Sequence, residues 1–265
     1  MNFMTIASGS SGNCIYVGTD STSILVDVGI SKKKIVEELN DINLDIRDVS
    51  GIFITHEHID HIKGLGVISR AYNIPIYATE DTIDMIKQTS SLGTIDSDLF
   101  NSIVPDEMYS IGDINIKAHS IWHDAADPVC YSFFNNNNKV SIATDLGDYD
   151  DYIINNLKES DVLLVEANHD VRMLQAGFYP YNLKQRILGK RGHLSNEAGG
   201  KLIKELLNDH IKSIFLGHLS ADNNYPELAY ETVKCELADN KFSKDVRNFN
   251  LQVAKRSNRS ELISI

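Results

Sequence analysis

Apolar residues along the chain fall into short runs rich in β-branched and aromatic side chains, each closed by turn-forming residues. Residues 4–7, 14–18 and 23–28 read as strands, and the small polar loop Ser8-Gly9-Ser10-Ser11-Gly12-Asn13 follows the first of them. Ser31 stands as an N-cap before a helix over 32–39. Gly51-Ile52-Phe53-Ile54 reads as a buried strand, 60–72 as a helix, 75–78 as a strand and 80–88 as a helix. Residues 89–107 are irregular and read as a long loop, with one helical turn at 98–100. Apolar–polar alternation marks a strand over 114–121, while 129–134 and 139–144 predict a hairpin turning across 135–138. Further strands are expected at 162–165, 211–216 and 250–254. Helices are expected at 150–157, at 170–189 with a break near Pro180, at 195–207 behind the capping Ser195, and at 226–238. Both halves show the same mixture, with no linker or low-complexity run between them. The pattern predicts one domain over residues 1–265, of mixed α/β class and α+β type, in which two packed sheets carry helices outside.

Several of these strands end in a side chain that can bind a metal or move a proton. The strand at 51–54 runs directly into Thr55-His56-Glu57-His58-Ile59-Asp60-His61, which holds three histidines and an aspartate within six residues. His56 and His58 alternate along an extended backbone and can point the same way toward one ion. Asp60 and His61 follow the bend and can reach a second ion. Neutral imidazole and carboxylate oxygen are ligands of divalent zinc, and a catalytic site keeps a position open for water. The stretch therefore predicts a two-metal site. His123, Asp145 and His218 each follow another predicted strand. His123 is preferred over His119, which lies inside its strand and has the setting of a packed residue. His218 follows a buried strand and suits a metal, whereas His193 opens a helix. Glu166, at the end of the 162–165 strand, could hold the His193 imidazole protonated, and a protonated His is a good general acid for an alkoxide leaving group.

Net charge is −12, from 25 basic and 37 acidic side chains, which argues against a broad nucleic-acid-coating surface. Against that background Lys184, Arg186, Lys190 and Arg191 form a basic run just before His193. The run could hold a DNA backbone or be an ordinary solvated helix face. Ser8, Ser10, Ser11 and Asn13 could donate to a phosphate, or be chosen for the backbone angles of a tight loop. Asn168 and His169, close to Glu166, could line the same cleft. Cys14, Cys130 and Cys235 are widely spaced, so neither a disulfide framework nor a cysteine zinc site is expected. No leader-like start and no apolar stretch near the roughly 18 residues of a membrane helix is present, so a cytoplasmic protein without membrane contact is expected.

His56-x-His58-x-Asp60-His61 resembles the signature of the metallo-β-lactamase fold hydrolases, and His58 sets it apart from the flavo-diiron branch, which has a Glu there. The motifs Ala7-Ser8-Gly9-Ser10-Ser11-Gly12-Asn13, His123-Asp124-Ala125-x-x-Pro128, Thr144-Asp145-Leu146-Gly147, Glu166-Ala167-Asn168-His169-Asp170, Gly192-His193-Leu194-Ser195 and Gly217-His218-Leu219-Ser220 together resemble the YycJ-like (WalJ/VicX) branch. The resemblance implies a four-layer αββα metallo-β-lactamase sandwich. It implies His56, His58 and His123 on one ion, Asp60, His61 and His218 on a second, and Asp145 shared. The ions, two per chain, would be zinc or manganese. Asp60, His193 and Glu166 are the candidate catalytic residues, and the nuclease branches of the fold have such a Glu and His in the same chain order. The branch implies 5′-to-3′ exonuclease action on DNA and a role in mismatch repair. RNA is a possible substrate. No separate capture domain is visible, so the grip on substrate would come from this domain or from a homodimer. A small-molecule hydrolase of thioesters, lactones or cyclic phosphodiesters is the alternative function. A regulatory metal-binding protein without turnover is a third.

Overall fold

The computed structural model describes residues 1–238 and 249–265. Among these residues fourteen strands form two seven-stranded sheets. The first holds β1 (Asn2–Ala7), β2 (Cys14–Gly18), β3 (Ser23–Val26), β4 (Val49–Phe53), β5 (Ile76–Ala78), β6 (Phe100–Ser102) and, beside β1 at the edge, β14 (Ile263–Ser264). The second holds β7 (Met108–Ile111), β8 (Ile114–Ser120), β9 (Val129–Asn135), β10 (Asn138–Ala143), β11 (Val162–Glu166), β12 (Ser213–Gly217) and β13 (Asn250–Val253).

Three apolar layers explain why the inner strands read as continuous hydrophobic runs: both of their faces are covered. Ile24 and Val26 of β3 join Phe53, Ile116, Leu164 and Phe215 between the sheets. Leu25, between them in sequence, points the other way, into a layer shared with Ile35 and Leu39 of α1 (Lys32–Asn40), Ile68 of α3 (Leu65–Tyr72) and Ile83 of α4 (Glu80–Gln88). On the far side Leu163 and Val165 pack with Ile153 of α5 (Asp151–Leu157), Leu202 and Ile203 of α8 (Asn196–Leu206) and Val233 of α9 (Pro226–Leu237). Helix, sheet, sheet, helix is the expected four-layer order.

Several elements differ from the sequence reading. The helix expected at 60–72 is two, α2 (Ile59–Ile62) and α3, because at Gly64 the chain folds against β3's exit: the Gly64 N–H donates to Val28 O, and a Cβ there would lie 2.4 Å from Ile30 O. The 89–107 stretch is not all loop, since β6 pairs in parallel with β5 and short turns occupy Ser90–Leu92 and Ser97–Leu99. The edge strands β7 and β14 carried no readable pattern, being four and two residues long. The 170–189 helix is broken near Pro180 as expected, into α6 (Val171–Ala176) and α7 (Tyr181–Leu188).

β3 to β6 run parallel, as do β10 to β13, and β8 runs in the direction of β10 because both are antiparallel to β9. Their carboxyl ends therefore share one edge of the sandwich, where α/β sheets collect ligand-binding groups. Asp27, Asp145 and His218 all stand just past such ends with positive φ, 57°, 59° and 54°. Asp tolerates that left-handed turn, whereas it is uncommon for histidine.

Candidate metal centre

The turn after β4 is held from behind. Gly29 lets it in close: a Cβ on Gly29 would lie 1.6 Å from Asp60 O. The Asn13 N–H donates to that same carbonyl. Asp27 is fully buried and accepts from the Thr55 N–H and Thr55 Oγ1, each at 2.9 Å, and from His61 Nδ1 at 2.7 Å. With Nδ1 so engaged, His61 aims Nε2 at the interior of the cluster. His123 is set in the same manner, Nδ1 donating to Gly192 O at 3.1 Å.

Two groups of ligand atoms face each other. His56 Nε2 and His123 Nε2 stand 3.0 and 3.2 Å from His58 Nδ1. Two nitrogens bound to one tetrahedral zinc at ~2.05 Å would be separated by about 3.3 Å, so these spacings suit a shared ion. Asp60 Oδ2 lies 3.6 Å from His61 Nε2 and 3.7 Å from His218 Nε2, forming the second group. Asp145 stands between them. Its Oδ1 is 3.7 Å from His123 Nε2, and its Oδ2 is 3.2 Å from His61 Nε2 and 2.8 Å from His218 Nδ1. Asp145 Oδ2 and His218 Nδ1 are buried and have no hydrogen-bond partner, although they almost touch. Close approach without hydrogen-bond geometry is how two ligands of one cation sit. The donor set, imidazole nitrogen with carboxylate oxygen, fits a divalent transition metal.

The electrostatics favour the ligating form at His56 and His123, whereas the carboxylates around His61 favour its charged form. Burial, reinforced by the neighbouring imidazoles, pushes His56 well below the ordinary histidine range, and burial also lowers His123, so both stay in the neutral, ligating form. Burial opposes charge on Asp145 and His61 too. There opposite charges win: His218 and His61 hold Asp145 well down, while Asp145, Asp27 and Asp60 hold His61 well up.

Glu166, at the end of β11, is fully buried and uses both oxygens. Oε2 accepts from the Leu146 and Leu194 N–H groups at 3.0 Å, and Oε1 accepts from His193 Nδ1 at 2.8 Å. Burial disfavours charge on His193, yet Glu166 raises it to about 9. The expected pair is thus formed, and His193 faces the cleft.

That cleft, about 320 Å³, is lined by Ser10, Asp60, Asp145, Asn168, Arg186 and His193 among others. Asn168 Nδ2 donates to His218 O, so it also holds a candidate ligand. Ser11, Lys190 and Arg191 are exposed but do not line the cleft. Lys190 Nζ lies 5.7 Å over the Trp122 ring and 3.7 Å from Asp148. Asn13 is buried, with Oδ1 accepting from the Gly9 N–H and Nδ2 3.1 Å from His61 Nε2. His169 is buried and does not line the cleft; its backbone bridges to Ser195 and its Nδ1 lies 3.3 Å from Asn168 Oδ1. Ser8 Oγ accepts from the His218 N–H, and Lys184 Nζ donates to the Gln175 and Gly177 carbonyls. His119 is packed in its strand, Nε2 3.1 Å from Ser132 Oγ. Sequence reasoning missed Asp27, which it placed inside a strand over 23–28, whereas β3 ends at Val26 and leaves Asp27 just past it. It also missed Asp124, whose Oδ1 is 3.5 Å from His123 Nε2 and whose other oxygen pairs with Arg186.

A model of the metallo-beta-lactamase superfamily matches residues 7–218. The exodeoxyribonuclease YycJ of Bacillus anthracis is 41% identical over 242 residues, 91% of each chain. The exodeoxyribonuclease WalJ of Streptococcus pneumoniae is 41% identical over 236 residues, 89% of this chain and 88% of its own. Among solved structures, the metallo-beta-lactamase fold protein YhfI from Bacillus subtilis superposes with a TM-score of 0.69 at 17% identity, covering 98% of both chains, a likeness of fold.

Proposed function

We propose that this chain, which belongs to the metallo-β-lactamase superfamily and within it to the YycJ/WalJ branch, is a metal-dependent phosphodiesterase that removes nucleotides from a 5′ end of DNA. The observation that carries the reading is Asp145, with one oxygen toward each of two ligand groups, next to a His193–Glu166 pair. His56, His58 and His123 would hold one ion and Asp60, His61 and His218 a second, with Asp145 common to both. Bound there, divalent zinc or manganese supplies Lewis acidity at the phosphate and a water of lowered pKa.

The chain's own groups do the rest. Asp60, which lines the cleft, can accept a proton from the attacking water. Glu166 keeps His193 protonated and fixes its Nδ1, leaving the other ring N–H to protonate the departing sugar oxygen. Arg186 and the Ser10 hydroxyl can hold the non-bridging phosphate oxygens, and the exposed Lys190 and Arg191 can carry the backbone beyond the cleft. One domain over 1–265 would contain the whole machinery. No described helix is long and apolar enough to cross a membrane, and the reading puts the enzyme in the cytoplasm with the DNA.

The test is hydrolysis of 5′-phosphorylated duplex DNA by zinc- or manganese-loaded protein, with Asp145→Ala as control and single-stranded DNA and RNA in parallel. Stepwise shortening that the control lacks supports the reading. A metal-loaded protein that cuts none of the three, but opens thioesters, lactones or cyclic phosphodiesters, sinks it.

A further inference from the structure

We propose that a second cavity, behind the loop that carries Ser220, is a nucleotide subsite: it takes the base of a nucleotide adjoining the scissile phosphate against Tyr225 and that nucleotide's phosphate on Lys255 and Arg256. The inference rests on the phosphodiesterase reading above and extends it to residues outside the metal centre.

This cavity measures about 590 Å³, larger than the cleft at the metal centre and within the ~300–1,000 Å³ span of small-ligand sites. The two spaces share Ser220 as a wall. Ser8, which accepts the His218 N–H, lines the second space as well, so it adjoins the backbone that presents His218. A chain leaving the cleft past Ser220 would enter it directly.

Its chemistry is that of a nucleotide. Leu219, Val253 and Ala254 give an apolar floor. Tyr225, 49% exposed and without an aromatic neighbour among the described residues, stands at the wall with Pro226 after it fixing the start of α9. A half-open ring beside a cationic edge is the arrangement on which bases stack. Lys255 is exposed, and Arg256 is braced: its Nη2 donates to Leu219 O, and its stem lies where a Cβ on Gly9 would be 3.3 Å from Arg256 Cγ. Among the described residues neither cation has a carboxylate within 4.0 Å. In a chain of net charge −12, two adjacent unpaired cations beside an apolar hollow match a ligand that is anionic at one end and flat and apolar at the other. The match ends soon. Past Pro226 the surface continues between Glu227 and Glu231, whose charges repel a phosphate. The subsite therefore has room for one nucleotide along this path.

The experiment is anisotropy titration of a fluorescein-labelled, 5′-phosphorylated oligothymidylate with metal-free protein in chelator. Loss of one stacked base is worth ~1–3 kcal/mol, so Tyr225→Leu is expected to weaken binding about 5- to 150-fold. An abasic nucleotide at the matching position should weaken wild type as much, and Tyr225→Leu little further. Lys255→Gln, at an exposed position that does not threaten folding, should reduce the slope of log K against log salt by about 0.7. Unchanged affinity in Tyr225→Leu, or an unchanged salt slope in Lys255→Gln, overturns the subsite while wild-type binding keeps the nuclease reading intact. A Tyr225→Leu protein whose oligomeric state shifts overturns it as well, giving the face to a second copy of the chain. Wild type that binds no oligonucleotide removes both.

Discussion

Replacing Asp27 by asparagine separates the support of the candidate centre from its ligands. The site is fully buried, and the carboxylate accepts three hydrogen bonds, two from Thr55 and one from His61 Nδ1. Asn is isosteric and tolerates the positive φ of 57° at this position, so backbone strain does not enter. Its amide offers one acceptor and one donor group. Oδ1 can keep the Thr55 N–H, but the NH₂ then faces Thr55 Oγ1 and His61 Nδ1. The relief is a tautomer change at His61, which puts the proton on Nε2, the atom aimed at Asp145 and Asp60. Loss of one charge-assisted bond costs ~1.5–3 kcal/mol. Loss of an outer partner of a ligating histidine typically costs ~10–100-fold in metal affinity. Competition titration with a zinc indicator should therefore show one site in Asp27→Asn weakened about 10- to 100-fold, while the site of His56, His58 and His123 stays near wild type. Equal weakening of both sites, or of neither, would refute the reasoning.

Other outcomes follow from the same geometry. Glu166→Gln turns an NH₂ toward His193 Nδ1, leaving a neutral ring, so kcat should fall ~10²–10⁴-fold with metal content unchanged by elemental analysis. Gly29→Ala drives a methyl into Asp60 O, 1.6 Å from its ideal position, and should cost more than about 3 kcal/mol in urea unfolding and lower metal occupancy together. His119 is lowered by burial to about 4, so it folds neutral. Its contribution is fully present above the unfolded value near 6.5 and is lost as pH falls toward 4, up to roughly 3 kcal/mol. The stability gap between wild type and His119→Leu in urea should narrow by about that much from pH 7 to 4, and a constant gap would contradict it.

What could be read from the sequence was what repeats along it. Strands such as 162–165, apolar on both faces, announce a two-sheet core, and the His56–His61 cluster announces its chemistry within a few residues. Asp27 was legible only after folding. Its role depends on the parallel pairing that sets Val26 beside Phe53 and so brings the two strand exits together. Asn13 shows the converse. Its loop has the composition of a phosphate grip, yet the return of the chain at Gly29 turns its side chain inward beside His61. His169 sits next to a cleft residue but is buried, its backbone bridged to Ser195. The strands β6, β7 and β14 were missed because short edge strands are fixed by a neighbour's free hydrogen-bonding row rather than by their own pattern.

The most direct measurement follows a duplex with a 5′-phosphorylated strand, labelled at its 5′ end in one sample and at its 3′ end in another, during digestion by protein carrying two equivalents of zinc or manganese. The expected result is early release of the 5′ label as mononucleotide, gradual shortening of the 3′-labelled strand, and neither in Asp145→Ala. Two bound ions with no release of label, or internal cuts that leave the 5′ label on long fragments, would contradict the account.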